Sequence, residues 1–202
     1  EHVLTMTEEN APSLRCGISL CINLSAQTIK DRSITDFIDH IDLSKLPLGC
    51  IVFEISESSA AEDIDDVGHF IEFARSKGFK IALDNFGTSY RSFHLLKKLN
   101  VDYVKIDGNF IATVCDDPTD QAFLESLLKI AKVKQFHVVA QWVDNQQKHG
   151  YLSELGVDYM QVFFIHEGLD ERELIQSLGE LRKRGKSCVM RCARPDRKGS
   201  SP

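Results

Sequence analysis

The sequence predicts an α/β fold, a parallel β/α barrel of the TIM type, and three observations predict it. Six short apolar runs, Ile18–Asn23, Ile51–Glu54, Lys80–Asp84, Val101–Asp107, His137–Gln141 and Tyr159–Gln161, have the length of buried strands. Helical patterns fill the gaps between them, and this alternation implies a parallel sheet with right-handed crossovers. Each run closes on an acid or an amide. In barrels of this type the catalytic side chains converge at the C-terminal ends of the strands.

The helices are delimited by their caps. Ser59 followed by Glu62 reads as a capping box, after which Ile64, Val67, Ile71 and Ala74 repeat at helical spacing until Gly78. Asp117 and Pro118 occupy the N-cap and first helical position of a long helix with Phe123, Leu124, Leu127, Leu128 and Ala131 as its apolar stripe. Asp144 and Asp170 read as further N-caps, the second leading into Leu174, Ile175, Leu178 and Leu181. Arg182–Pro202 carries eight basic residues against Asp196, with Gly185, Pro195 and Gly199 breaking any periodicity. Residues 1–185 are therefore expected to form one barrel domain and 186–202 a basic, disordered tail.

At 202 residues the chain suffices for one core. A formal net charge of −6 gives no electrostatic case for binding DNA, and no apolar run reaches the roughly 18 residues of a membrane span. The chain opens on Glu1 with no signal-peptide pattern, so a portion of a longer protein is expected, cytoplasmic in itself or the cytoplasmic part of a membrane-anchored one. Of six cysteines, Cys21 and Cys50 lie in or beside strand runs, where a free thiol serves as a small hydrophobe. No Cys-x-x-Cys occurs, so the cysteines read as buried free thiols, and free thiols point to a reducing compartment; Cys188 and Cys192 in the basic segment are the pair to watch.

The strand ends carry the chemistry. Glu54 and Asp84 close successive runs, and neighbouring parallel strands lie about 4.8 Å apart, so their carboxylates can share a divalent cation. Asn23 adds a neutral oxygen from the preceding run. Lys105 and Asp107 share one strand face, because side chains alternate with period two.

Six segments in order, Cys21-Ile-Asn-Leu-Ser-Ala26, Phe53-Glu-Ile-Ser-Glu-Ser58, Ala82-Leu-Asp-Asn-Phe-Gly-Thr88, Val104-Lys-Ile-Asp107, Val139-Ala-Gln-Trp-Val143 and Asp158-Tyr-Met-Gln161, resemble the successive motifs of the EAL domain, the bacterial cyclic di-GMP phosphodiesterase. The resemblance covers about residues 16–170. It implies a (β/α)₈ barrel that hydrolyses cyclic di-GMP to linear pGpG with two Mg²⁺ or Mn²⁺ ions. It also implies that the family's first two strands precede the Asn23 segment, leaving six readable here, with Glu1–Arg15 supplying the helix before the Asn23 strand.

Carried over by motif, Asn23, Glu54 and Asp84 match metal ligands, and Asn85 stands at the position of a second-metal carboxylate. Lys105 matches the lysine that orients water and phosphate, and Asp107 an acid supporting the metal centre. Glu57 matches the acid bracing the loop after the Asp84 strand. Phe86, Gly87 and Thr88, in that loop, and Gln161, on the last strand, match substrate-binding positions. Gln141 occupies the place of the glutamate credited with general-base chemistry. The resemblance also implies association as a homodimer or with other domains of the same signalling protein.

The departures bear on activity. Asn85 and Gln141 are neutral amides where the family has carboxylates, and an amide does not accept a proton from water at ordinary pH. Val162 replaces a glycine. The Glu-Ala-Leu signature appears nowhere in this sequence; in the family it lies on an early strand together with a phosphate-binding arginine, ahead of the matching segments. Two readings follow: a degenerate module that binds cyclic di-GMP or a protein partner, and a metal-dependent phosphodiesterase of residual or conditional activity.

Overall fold

The computed structural model describes residues 18–40, 42–45, 49, 51–89, 92–162 and 188–191. In chain order the elements are β1 (Ile18–Leu24), α1 (Ala26–Lys30), α2 (Ser33–His40), a 3₁₀ turn (Leu43–Lys45), β2 (Ile51–Ser56), α3 (Glu57–Glu62), α4 (Ile64–Ser76), β3 (Lys80–Phe86), α5 (Ser92–Lys98), β4 (Tyr103–Ile106), α6 (Gly108–Thr113), α7 (Pro118–Lys134), β5 (His137–Val143), α8 (Gln146–Leu155), β6 (Tyr159–Val162) and β7 (Cys188–Arg191). The strands form one sheet in the order β6-β5-β4-β3-β2-β1-β7. Every pairing is parallel.

All six expected strands are present, and β7 adds a seventh. It lies within the segment read as a tail and pairs with β1 from Ile18↔Cys188 to Cys21↔Arg191. The tail expectation is corrected for these four residues, whose backbone finds its hydrogen-bond partners along the β1 edge. The remainder of 186–202, Cys192 included, lies outside the described residues, as do the helix expected over Glu1–Arg15, the Asp170 cap and Cys50.

Strand alternation separates two environments. Ile51, Phe53, Ile55, Ile81, Leu83, Val104, Ile106, Val138 and Ala140 pack with helix residues such as Ile71, Leu95, Leu127 and Leu152 in the main core. The opposite face holds a smaller cluster of Cys21, Val52 and Ala82 against Tyr103. Glu54, Asp84, Lys105 and Gln141 have the parity of that second face, each two residues beyond Val52, Ala82, Tyr103 and Val139. Aspartates at strand entries hold the neighbouring backbones in place. Asp102 accepts the amide of Ile81 at 3.0 Å, and Asp158 that of Val138 at 2.8 Å.

Three caps differ from expectation. Ser56 caps α3 and Asp63 caps α4, so the expected single helix from Ser59 is two. Asn145 caps α8, while Asp144 pairs with Lys148 at 3.0 Å. An Asp-Asn pair offers two side chains able to accept from the first-turn amides, and sequence alone does not choose between them. Asp117 and Pro118 open α7 as expected, and Leu124, Leu127, Leu128 and Ala131 are buried. Among the described residues no helix is long and apolar enough to cross a membrane.

Candidate functional site

Two bulges shape the rim. In β3 the register shifts between Leu83 and Phe86, and in β5 between Ala140 and Val143. Asn85 (φ 55°) and Trp142 (φ 56°) carry the left-handed backbone at these bulges. The consequence is the same in both strands. Asp84 and Gln141 keep the parity of the small cluster's face, while the residues just past the bulge, Phe86 and Val143, join the helix-covered core.

Four buried side chains meet at the C-terminal ends of β2 to β5. Lys105 Nζ donates to Glu54 Oε1 at 2.7 Å and lies 3.0 Å from Asp84 Oδ1. Gln141 Nε2 donates to the same Asp84 oxygen at 2.7 Å. One ammonium thus serves two carboxylates, and one amide shares the second. Glu54 Oε2 is buried and has no hydrogen-bond partner among the described residues. An unsatisfied buried carboxylate oxygen costs about 1–3 kcal/mol or more, and a hard cation is one group that would satisfy it.

The donor set fits one such cation. Asn23 is the register partner of Glu54, and its exposed side chain belongs to the same strand end. Glu54, Asp84 and Asn23 are oxygen donors of the kind Mg²⁺ and Mn²⁺ take. Asn85, which follows Asp84 at the β3 bulge, is half-buried, and its amide contributes no charge. Among the described residues no group of three or more His, Cys, Asp or Glu side chains is arranged as a complete metal cage.

Other expected residues lie outside this cluster. Asp107 is the N-cap of α6, its Oδ1 accepting from Asn109 N at 2.9 Å and Asn109 Nδ2 at 2.7 Å. Among the described residues it makes no direct hydrogen bond to Glu54, Lys105 or Asp84. Glu57, 0% exposed, gathers the loop after β3: Oε2 accepts from Gly87 N at 2.8 Å and Thr88 N at 3.0 Å, and Oε1 from the hydroxyls of Ser89 and Ser92. It positions that loop rather than joining the cluster. Gln161 is half-buried on β6.

Phe86 departs from its expected substrate-binding place. Its ring is fully buried and packs against Phe93 and Phe123, because the Asn85 bulge turns it toward the helices. Gly87, by contrast, needs its freedom: φ is 103°, and a Cβ there would stand 2.7 Å from the Phe110 ring.

Sequence reasoning missed Trp142. It follows Gln141 directly and remains 48% exposed, and a Cβ on Gly108 would come within 2.2 Å of its ring. The signal was available: this is the chain's one tryptophan, beside a strand-end amide.

Comparison with known proteins bears on this arrangement. The chain is 30% identical over 183 residues to the cyclic di-GMP phosphodiesterase PdeF of Escherichia coli, covering 90% of this chain and 24% of that protein. It is 33% identical over 147 residues to the cyclic di-GMP phosphodiesterase PdeA of Borreliella burgdorferi, covering 72% and 22%. The chain thus spans about a quarter of the length of these relatives. Among solved structures, the EAL domain of Mycobacterium smegmatis DcpA superposes with a TM-score of 0.75 at 27% identity, over 88% of this chain and 82% of that one. The PaMucR phosphodiesterase in complex with c-di-GMP superposes at 0.76 and 25% identity, over 86% and 77%. With the EAL domain family matching residues 1–167, and with fold and motif order in agreement, the chain belongs to the EAL domain family.

Proposed function

We propose that this chain is a degenerate EAL module of cyclic di-GMP signalling, which binds the dinucleotide as a receptor or interaction module and hydrolyses it little. The observation that carries this reading is the hydrogen bond from Gln141 Nε2 to Asp84 Oδ1 at 2.7 Å. At the position where the family resemblance puts a general base, this side chain donates an N–H hydrogen bond, and its amide takes no proton from water. Its donation also occupies a carboxylate oxygen otherwise available to a cation. Loss of one general base commonly lowers a rate about 10²–10⁴-fold.

Glu54, Asp84 and Asn23 would hold a Mg²⁺ or Mn²⁺ ion, which supplies charge neutralisation at phosphate and a more acidic bound water. Lys105 orients a phosphoryl oxygen, and Gln161 offers polar contact from β6. Glu57 holds Gly87 and Thr88 at the rim. Asn85 and Asp107 contribute to the metal surroundings indirectly. Cyclic di-GMP binding in the named PaMucR complex supports the choice of ligand. A homodimer, or contact with other domains of the same signalling protein, and a cytoplasmic site of action complete the reading.

The second reading, a phosphodiesterase with residual activity, is favoured by Glu54 Oε2, which has no hydrogen-bond partner among the described residues. One experiment separates the two. Cyclic di-GMP is incubated with excess protein and Mn²⁺ and followed by chromatography, with calorimetric titration of the nucleotide in parallel. Binding without pGpG supports the receptor; pGpG within minutes, absent from Glu54→Ala, supports the enzyme.

A further inference from the structure

Trp142 occupies a costly position. A bulky residue with φ near 56° is an outlier, and strained backbone of this kind clusters at functional sites. Burial of the ring would offset the strain, yet the residue stays 48% exposed. The other exposed large hydrophobics among the described residues differ in kind. Phe93 packs edge-on against Phe86 and Phe123, and Val133 lies on α7 away from the rim.

The indole is nevertheless held in place. Its ring junction closes on Gly108, the first residue of α6, where a Cβ would stand 2.2 Å from Cδ2 and Cε3 and 2.7 Å from Cγ. Only glycine at 108 admits the ring in this position. An aromatic surface is thereby fixed and left open beside Gln141, whose own amide reaches Asp84. A pre-positioned, solvent-facing indole one residue along β5 from Gln141 suits a ligand with a planar ring.

We propose that Trp142 is a stacking platform for a purine base of the nucleotide whose phosphate lies over the Lys105 cluster. This rests on the nucleotide-binding reading above and adds a specificity-determining residue to it. Bases stack on aromatic side chains with about 1–3 kcal/mol each, because every base offers a flat face to the ring. The divalent ion that Glu54, Asp84 and Asn23 would hold offsets their charge and, with Lys105, would take the phosphate, while Trp142 would select for a base over a bare phosphate.

The single tryptophan makes a direct test possible. In the presence of Mg²⁺ the protein is titrated with cyclic di-GMP while indole emission and calorimetric heat are recorded, with inorganic pyrophosphate as the base-free probe. Emission should quench with the calorimetric midpoint, and pyrophosphate should leave it unchanged. Trp142→Ala should weaken binding about 5- to 150-fold, the range of base–aromatic stacking, and Trp142→Phe by much less. Trp142→Gly, which removes the backbone strain, serves as the variant that must remain folded, checked by its melting curve.

Calorimetric binding with unchanged emission and an unweakened Trp142→Ala overturns the platform and leaves nucleotide binding standing. Tighter binding by Trp142→Ala also overturns it, marking the ring as an obstruction. Absence of heat with cyclic di-GMP removes the nucleotide-binding reading itself, and the platform with it.

Discussion

Glu57 Oε2 accepts the backbone amide of Gly87 at 2.8 Å, joining the first turn of α3 to a loop thirty residues later. The carboxylate is fully buried, and Thr88, Ser89 and Ser92 donate to it as well. A cap-like acid at a helix start therefore fixes the segment that follows the Asp84 strand.

Substitution should separate charge from geometry at this position. In Glu57→Gln the carbonyl can still take the Gly87 and Thr88 amides, while the new NH₂ donates to Ser92 Oγ, whose own proton has the Ser89 carbonyl to go to at 2.5 Å. Glu57→Ala offers no acceptor and should cost roughly 2–4 kcal/mol, the scale of losing buried charge-assisted hydrogen bonds. Denaturant midpoints of the two variants are the check. Equal destabilisation would show that charge, not acceptance, holds the loop.

Lys105 lies between Glu54 and Asp84 at 2.7 and 3.0 Å. In Lys105→Met those buried carboxylates face each other without the ammonium, and breaking such a pair costs about 3–5 kcal/mol. That corresponds to a melting temperature lower by on the order of 10 °C for a chain of this size. Mn²⁺ should recover part of the loss, since a cation binding only the folded state stabilises it. A variant that melts like the parent in EDTA would contradict the coupling.

The sheet was legible in the sequence because its signals are local and redundant: apolar runs, helical stripes and strand-end acids all agree. Glu54, Asp84, Lys105 and Gln141 could be placed on one rim from their positions at the ends of strand runs, whereas period-two counting grouped Asp107 with Lys105 although it caps α6. What escaped was whatever depends on a choice between adjacent groups or on distant packing. Asn145 rather than Asp144 caps α8, and nothing local distinguishes them. Phe86 turns into the core only because Asn85 adopts a left-handed conformation, and that bulge interrupts the very alternation used to read the strand. β7 finds its partner in β1, across most of the chain, with no local pattern to announce it.

Asp117 predicts a pH dependence. Its carboxylate accepts the Thr119 amide at 2.7 Å, and hydrogen bonding there holds it below its usual value of 3.8. A lowered folded value means that the charge-dependent stabilisation is fully present above about 3.8 and fades as pH falls through the folded value. The advantage of the parent over Asp117→Ala should therefore be constant between pH 5 and 7 and shrink below pH 4, as measured by urea midpoints. A gap that widens on acidification would have the wrong sign.

The most demanding prediction concerns restoration of charge at the rim. Asn85 already has a left-handed backbone that aspartate also tolerates, so Asn85→Asp should add a carboxylate with little strain. Gln141→Glu is different. It replaces the donor 2.7 Å from Asp84 Oδ1 with a second acceptor, leaving Lys105 as the cation for three carboxylates. In EDTA the double variant should be less stable than the parent by about 1–3 kcal/mol, the cost of unsatisfied buried polar groups. Mn²⁺ should reverse that loss, because a divalent ion supplies the charge that the amide donor no longer offsets. Formation of pGpG should appear in the double variant and far less in either single one, since groups that act together are non-additive. Paired melting curves with EDTA and with Mn²⁺, alongside chromatography of cyclic di-GMP, give both readouts. A double variant that melts identically in the two buffers would mean that Glu54 and Asp84 do not gather a cation even with two more carboxylates beside them.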